Sequence, residues 1–146
     1  IPLLINDRVD IALAVNADGV HVGQKDLPAA KVRELIGPHK ILGVSAANLK
    51  EAIQGEKDGA DYLGVGAMLT PNTTKPDARV VTLPQLEEIC QAVHIPIVII
   101  GGINQQTLQQ FLHLPIAGSA IVSGIIAAED ITLATQKIKS IYETRP

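Results

Sequence analysis

Short β-branched runs alternate along this chain with longer stretches in which apolar residues recur every three or four positions. The runs predict strands over residues 3–5, 19–22, 41–45, 62–68, 97–100 and 119–122. They are solidly apolar or nearly so, as parallel strands covered on both faces should be. The stretches between them predict helices over 7–16, 28–36, 48–58, 83–93, 105–112 and 130–142. Val9, Ala12 and Leu13 share one face of the first; Leu86, Ile89, Cys90 and Val93 share a face of the fourth. Asn48 and Asn104 stand where N-caps belong, and Gly37-Pro38 stops the second helix.

Six strand–helix units in succession require right-handed crossovers and a parallel sheet. An open doubly wound sheet and a (β/α)8 barrel both satisfy that requirement. The phrase Asn16-Ala17-Asp18-Gly19 before one strand is echoed by Asp58-Gly59-Ala60-Asp61 before another, a weak repeat at the helix-to-strand corner that suits a barrel of similar units. Eight units need roughly 200 residues. The expectation is therefore one domain over residues 1–146 that is N-terminally incomplete, lacking about 60 residues of a full barrel. Alternatively a partner subunit, as in a homodimer, covers the edges that six strands leave raw.

Composition narrows the function classes. Apolar types make up 47% of 146 residues and charged types 18%, enough for a real core and unlike a disordered linker. The net charge of −3, without a basic run, argues against electrostatic binding to nucleic acid or an anionic membrane. Aromatics at 2% supply no stacking platform for single strands. A single cysteine, Cys90, rules out an internal disulfide and a multi-cysteine metal site. The apolar runs are too short to span a bilayer, and no signal peptide is visible, so a cytoplasmic setting is expected.

Catalytic groups of a parallel barrel come from the C-terminal strand ends and the loops that follow. Nearly every polar or Gly-rich cluster of this sequence falls there: Asn6-Asp7, Gly23-Gln24-Lys25-Asp26, Ser45, the stretch from Gly66 to Asp77, Gly101-Gly102 and Ser123-Gly124. Asp7 and Asp26 end neighbouring strands, roughly 4.8 Å apart if paired directly. Two such carboxylates suit one Mg²⁺, which fills its remaining positions with water and phosphate oxygens. They equally suit a role as helix caps. The loop Thr70-Pro71-Asn72-Thr73-Thr74-Lys75-Pro76-Asp77 combines hydroxyls with one cation, a composition fitted to a phosphate or pyrophosphate clamp, or to a solvated turn. Gly101-Gly102 and Ser123-Gly124 end the last two strands, where barrels commonly bind phosphate on backbone N–H groups, or where the glycines simply allow tight turns. His21, His39, His94 and His113 lack metal-ligand spacing and read as packing or capping residues. No nucleophile elbow or Cys–His pairing is present, and Cys90 is expected to be inert.

Leu4-Ile5-Asn6-Asp7-Arg8-Val9-Asp10 and Ala17-Asp18-Gly19-Val20-His21-Val22-Gly23-Gln24-Lys25-Asp26, followed by Gly43-Val44-Ser45, Tyr62-Leu63-Gly64-Val65-Gly66, Thr74-Lys75-Pro76-Asp77-Ala78, Ile100-Gly101-Gly102-Ile103 and Val122-Ser123-Gly124-Ile125, resemble the thiamine-phosphate synthase (thiamine-phosphate pyrophosphorylase) family in order along the whole chain. That resemblance implies a (β/α)8 TIM barrel, of which the chain supplies about the last six units. It implies a transferase that joins hydroxymethylpyrimidine pyrophosphate to a thiazole phosphate, releasing thiamine phosphate and pyrophosphate. Mg²⁺ would be held by Asp7 and Asp26. The pyrimidine pyrophosphate would meet Asn6, Ser45 and Lys75, and these three would carry the catalytic roles. The thiazole phosphate would meet Asn72, Thr73 and Thr74, then Gly102, Val122 and Ser123. Two departures stand out. The family's loop reads Pro-Thr-x-Thr-Lys, whereas Asn72 follows Pro71 here. The family's Gln-x-Arg-x-Lys motif would precede Ile1, so a molecule beginning at Ile1 is expected to lack full activity.

Two other functions fit parts of this pattern. A thiazole tautomerase or regulator-like relative shares the barrel, but Asp7, Asp26 and Lys75 together form a pyrophosphate clamp that such a protein does not need. A non-catalytic fragment that binds thiamine phosphate is the second.

Overall fold

The computed structural model describes residues 1–69 and 80–144. Six strands, β1 (Leu4–Asn6), β2 (Gly19–Val22), β3 (Ile41–Ala46), β4 (Tyr62–Gly66), β5 (Ile97–Ile100) and β6 (Gly118–Ala120), pair in chain order and all in parallel. A doubly wound sheet reverses its strand order at a switch point. No reversal occurs here, so of the two closures the sequence allows, the sheet is a curled part of a (β/α) barrel. The helices are α1 (Val9–Ala14), α2 (Ala29–Ile36), α3 (Leu49–Lys57), α4 (Leu83–Ala92), the short α5 (Ser123–Ile126) and α6 (Ile131–Glu143).

Right-handed crossovers between consecutive strands put every helix on the same face of the sheet. Burial follows the two-residue period of the strands. Val20, Val22, Leu42, Val44, Leu63, Val65, Ile97 and Ile99 lie under the helices and are buried. The alternate residues His21, Ser45, Tyr62 and Val98 are half-buried, and Asn6 and Ile100 are exposed. The expectation of strands covered on both faces thus holds for the helix side only. The inner face carries small residues, among them Gly43, Gly64 and Gly66, and stays open in the described residues.

The first helix is shorter than expected, Val9–Ala14, and the last strand runs Gly118–Ala120 rather than to residue 122. Three further differences bear on the strand-end edge. The helix predicted over 105–112 is one 3-10 turn, Leu108–Phe111. Asn104 and Thr107 explain it: the Asn104 carboxamide oxygen accepts from Gln106 N (2.9 Å) and Thr107 N (3.1 Å), a local pattern that competes with helical bonding. β4 ends at Gly66 rather than at residue 68, although Met68 N still donates to Ile100 O at 3.0 Å. Beyond β6, Ser123 begins α5 instead of a loop. Caps account for most of the rest. Asn48 accepts from Glu51 N (3.0 Å), Asp130 from Leu133 N (2.8 Å), and Thr82 forms a capping box with Gln85.

The repeated corner phrase has one structural meaning. Asn16 (φ 49°) and Gly59 (φ 90°) close α1 and α3 in the left-handed region, and the next residues, Ala17 and Ala60, donate back five positions to Ala12 O and Gly55 O. The following aspartates repeat a two-bond ring. Leu3 N donates to Asp18 Oδ2 (2.7 Å) while Asp18 N donates to Leu3 O; Leu42 N donates to Asp61 Oδ2 (2.7 Å) while Asp61 N donates to Leu42 O. Each aspartate thereby joins the start of its strand to the strand before it.

Candidate active site

Parallel pairing puts the C-terminal ends of all six strands on one edge, and the described candidate residues gather there. Asn6 closes β1 and is exposed; Asp7 follows, half-buried, at φ 62°, a conformation that Asp and Asn tolerate better than other side chains. Its N–H donates to His21 O at 2.8 Å, which ties the β1 end to β2. Asp26 lies four residues past β2, half-buried, and its Oδ2 accepts from Gly23 N at 2.7 Å. The N-cap residues of α1 and α2, Arg8 and Pro28, make no side-chain capping bond. Hydrogen bonding of β1 to β2 keeps both acids on adjacent loops.

Ser45 stands in the last layer of β3, opposite Gly64. Its carbonyl accepts from Gln24 Nε2 (2.7 Å) and its hydroxyl lies 2.9 Å from His21 Nε2. His21 Nδ1 lies 2.8 Å from Tyr62 Oη. Burial pushes the Tyr62 phenol above its ordinary range, so it keeps its proton. His21 and Tyr62 thus touch a candidate site residue, whereas the sequence suggested packing for His21. The signal available in the sequence is Gly43, which shares their register layer, and Gly64, one layer on: a Cβ at Gly43 would collide with both rings.

At the other side of the edge, Gly102 and Ser123 line an open hollow of about 530 Å³ with Leu69, Ile103, Asn104, Thr107 and Gly124. The Thr107 hydroxyl donates to Gly102 O (3.1 Å) and accepts from Asn104 N (2.9 Å), holding the Gly101-Gly102 turn in shape. Both glycines have positive φ, 101° and 72°, which permits that turn. Val122 flanks α5 and is exposed. Asn104 and Thr107 are members of the hollow that the sequence suggested only as a cap and as helix interior. Asn72, Thr73, Thr74 and Lys75 lie outside the described residues.

Several other titratable groups lie away from that edge. Arg8 holds the Asp10 carboxyl down at about 2 on the exposed side of α1. Burial first, and Glu87 second, push the Cys90 thiol up, so little thiolate forms. His94 and His113 face Glu56 and Glu87 at the surface. Among the described residues no three His, Cys, Asp or Glu side chains converge, so an all-protein metal cage is absent there. Asp7 and Asp26 each bring one carboxylate to adjacent loops at the C-terminal strand ends. No helix of the described residues is long and apolar enough to cross a membrane.

Fold and edge together define a parallel (β/α)-barrel-type protein whose polar groups and hollow lie at the C-terminal strand ends, where such folds do chemistry. The sequence profile of the family described as thiamine monophosphate synthase matches residues 1–125. The thiamine-phosphate synthase of Clostridium botulinum is 57% identical over 143 residues, covering 98% of this chain and 67% of that protein. That of Clostridium beijerinckii is 58% identical over 142 residues, covering 97% and 68%. Among solved structures, thiamine phosphate pyrophosphorylase from Pyrococcus furiosus superposes with a TM-score of 0.87 at 43% identity, over 96% of this chain and 66% of that one. The chain belongs to the thiamine monophosphate synthase family, transferases of thiamine biosynthesis, and spans about two thirds of the length of these relatives.

Proposed function

We propose that this chain, as one domain over residues 1–146, supplies the last six β/α units of a barrel that condenses hydroxymethylpyrimidine pyrophosphate with a thiazole phosphate, giving thiamine phosphate and pyrophosphate. The observation that carries this reading is the gathering of Asn6, Asp7, Asp26, Ser45, Gly102 and Ser123 along one strand-end edge, with the acids at one side and the hollow at the other. Two anionic substrates need two such sites side by side.

Asp7 and Asp26 would hold Mg²⁺; the charge that gathers on the departing pyrophosphate is what Mg²⁺ neutralises when bound. Asn6, Ser45 and Lys75 bind that pyrophosphate, Ser45 through its hydroxyl and Lys75 through its ammonium. Asn72, Thr73 and Thr74 receive the thiazole phosphate together with Gly102, Val122 and Ser123. The C–O bond of the pyrimidine methylene breaks and its electron pair leaves with pyrophosphate. The electron-rich aminopyrimidine stabilises the resulting cation, and the thiazole nitrogen forms the new C–N bond. No protein nucleophile is needed; positioning and electrostatic stabilisation supply the rate. Both substrates are small phosphate esters, which suits a cytoplasmic setting.

Pyrophosphate release tests the reading directly. The expected result is release only when Mg²⁺ and both precursors are present. Release without the thiazole phosphate would contradict the condensation. Binding of the thiazole phosphate with no release and no affinity for pyrophosphate would favour a tautomerase-like relative.

A further inference from the structure

His21, Tyr62 and Ser45 come from three adjacent strands and meet on the inner face of the sheet. Two absent side chains make the meeting feasible. Gly43 lies between His21 and Tyr62 in the same register layer, and a Cβ there would strike the Tyr62 ring and His21 Nδ1. Gly64 lies one layer nearer the strand ends, where a Cβ would sit 2.9 Å from His21 Cε1. The imidazole therefore occupies a notch in the backbone surface, with Nδ1 toward the phenol and Nε2 toward the hydroxyl.

The chemistry of the three groups orders their protons. A neutral imidazole has one donor and one acceptor nitrogen. A phenol is a better donor than acceptor, and Tyr62 is half-buried and stays protonated. Its O–H donates to His21 Nδ1, which leaves the proton of the ring on Nε2. Nε2–H then donates to the Ser45 oxygen, and the serine keeps its own hydrogen for another acceptor. Ser45 stands one layer beyond His21 toward the strand ends, and Gln24 Nε2 anchors its carbonyl. We propose that Tyr62 and His21 are positioning residues that hold the Ser45 hydroxyl as a hydrogen-bond donor to the pyrophosphate of the substrate. This rests on the reading of Ser45 as a pyrophosphate contact.

Two measurements test it. Long-range ¹H–¹⁵N correlation of the imidazoles, with His21 identified by its loss in His21→Gln, reports the tautomer without any turnover. The expected wild-type ring is protonated at Nε2 alone, and Tyr62→Phe lets an Nδ1–H fraction appear. An Nδ1–H or doubly protonated ring in the wild type overturns the proposal, and a ring unmoved by Tyr62→Phe overturns the part given to Tyr62. The second measurement is calorimetric titration with pyrophosphate and Mg²⁺. One hydrogen bond to a charged acceptor corresponds to about 10- to 100-fold in affinity. His21→Leu and Ser45→Ala should each lose about that much, and the double variant no more than Ser45→Ala alone. His21→Gln, which keeps an N–H near the Nε2 position, should stay within about threefold of wild type by the same scale. Multiplicative losses in the double variant would make the two residues independent and overturn the proposal. A wild-type chain with no pyrophosphate affinity would overturn the substrate reading and the donor role with it. Wild-type binding with His21→Leu unaffected would overturn the positioning role alone.

Discussion

The two ends of the parallel sheet use the same residue types in opposite ways. At the N-terminal end, acids and bases are satisfied within the chain. Asp18 and Asp61 take the N–H groups of Leu3 and Leu42. Arg33 donates to Gly59 O, Gly37 O, Lys40 O and Asp61 Oδ2, tying the ends of α2 and α3 to the start of β4. Lys40 bonds Asn16 Oδ1 at 2.9 Å. At the C-terminal end Asn6 and Ser123 are exposed, Asp7, Asp26 and Ser45 are half-buried, and a hollow opens between the last two strands. Carboxylates at the first end close corners. Those at the second are held at the rim of a site. The chain thus separates the residues that secure the barrel from those proposed to face ligand, as parallel barrels generally do.

The sharpest way to break that separation is a pair of substitutions. Asp7→Asn keeps a residue that tolerates the positive φ of 62° and removes the charge. Turnover should fall by at least about 100-fold, with the melting temperature nearly unchanged. Asp61→Ala should do the reverse. It strands the Leu42 N–H and one Arg33 arm, costing about 2 kcal/mol, or roughly 4–8 °C in melting temperature, while folded molecules keep their turnover. Asp18→Ala, whose bond to Leu3 N is exposed, should cost only about 1 kcal/mol. Thermal unfolding and pyrophosphate release on the same preparations decide the matter. Loss of turnover in folded Asp61→Ala at an unchanged melting temperature would erase the distinction between the ends.

Two inner-face glycines sharpen the comparison at smaller cost. Gly43→Ala drives a methyl into His21 and Tyr62, whereas a Cβ at Gly118 meets nothing within 4 Å. The first should destabilise by about 1–3 kcal/mol through overpacking and reduce turnover with it. The second should leave unfolding in urea within about 1 kcal/mol of wild type and can raise it through the unfolded state. Equal effects at both positions would mean that the notch around His21 is not packed as described.

Much of this was legible in the sequence, and the residues say why. Isolated apolar runs such as Ile97-Val98-Ile99-Ile100 marked strands, because helices cover one face of each and leave no room for charge there. Polar clusters just past those runs marked the functional edge, since parallel pairing brings all such ends together. The segment over 105–112 failed because Asn104 and Thr107 bond locally to backbone groups, which a helical period does not reveal. His21 does pack, against the Tyr62 ring, but its partners were not legible. They come from β3 and β4, so they depend on register across three strands, and only Gly43 and Gly64 carry a trace of that in the sequence. Arg33 is similar: its four carbonyl and carboxylate partners come from two separate corners, α2 to β3 and α3 to β4.

The smallest expected effect concerns Tyr62, and its sign follows from proton linkage. Burial raises the phenol above its ordinary value, so the folded chain holds that proton more tightly than the unfolded chain does. The corresponding stability is fully present below the unfolded value of about 10 and is lost as pH rises through the higher folded value. Tyr62→Phe removes this titration and the bond to His21 Nδ1. At neutral pH the variant should be less stable by about 1 kcal/mol, the worth of one hydrogen bond. Above about pH 10 the wild type should lose stability faster, and the two urea-unfolding curves should converge. Tyr142, the other tyrosine, is common to both proteins and cancels in the difference. A gap that stays constant through the alkaline range would show that the Tyr62 phenol titrates alike in both states. The inner face at that layer would then be as wet as the functional edge above it, and the boundary between the two ends of the sheet would lie lower than His21.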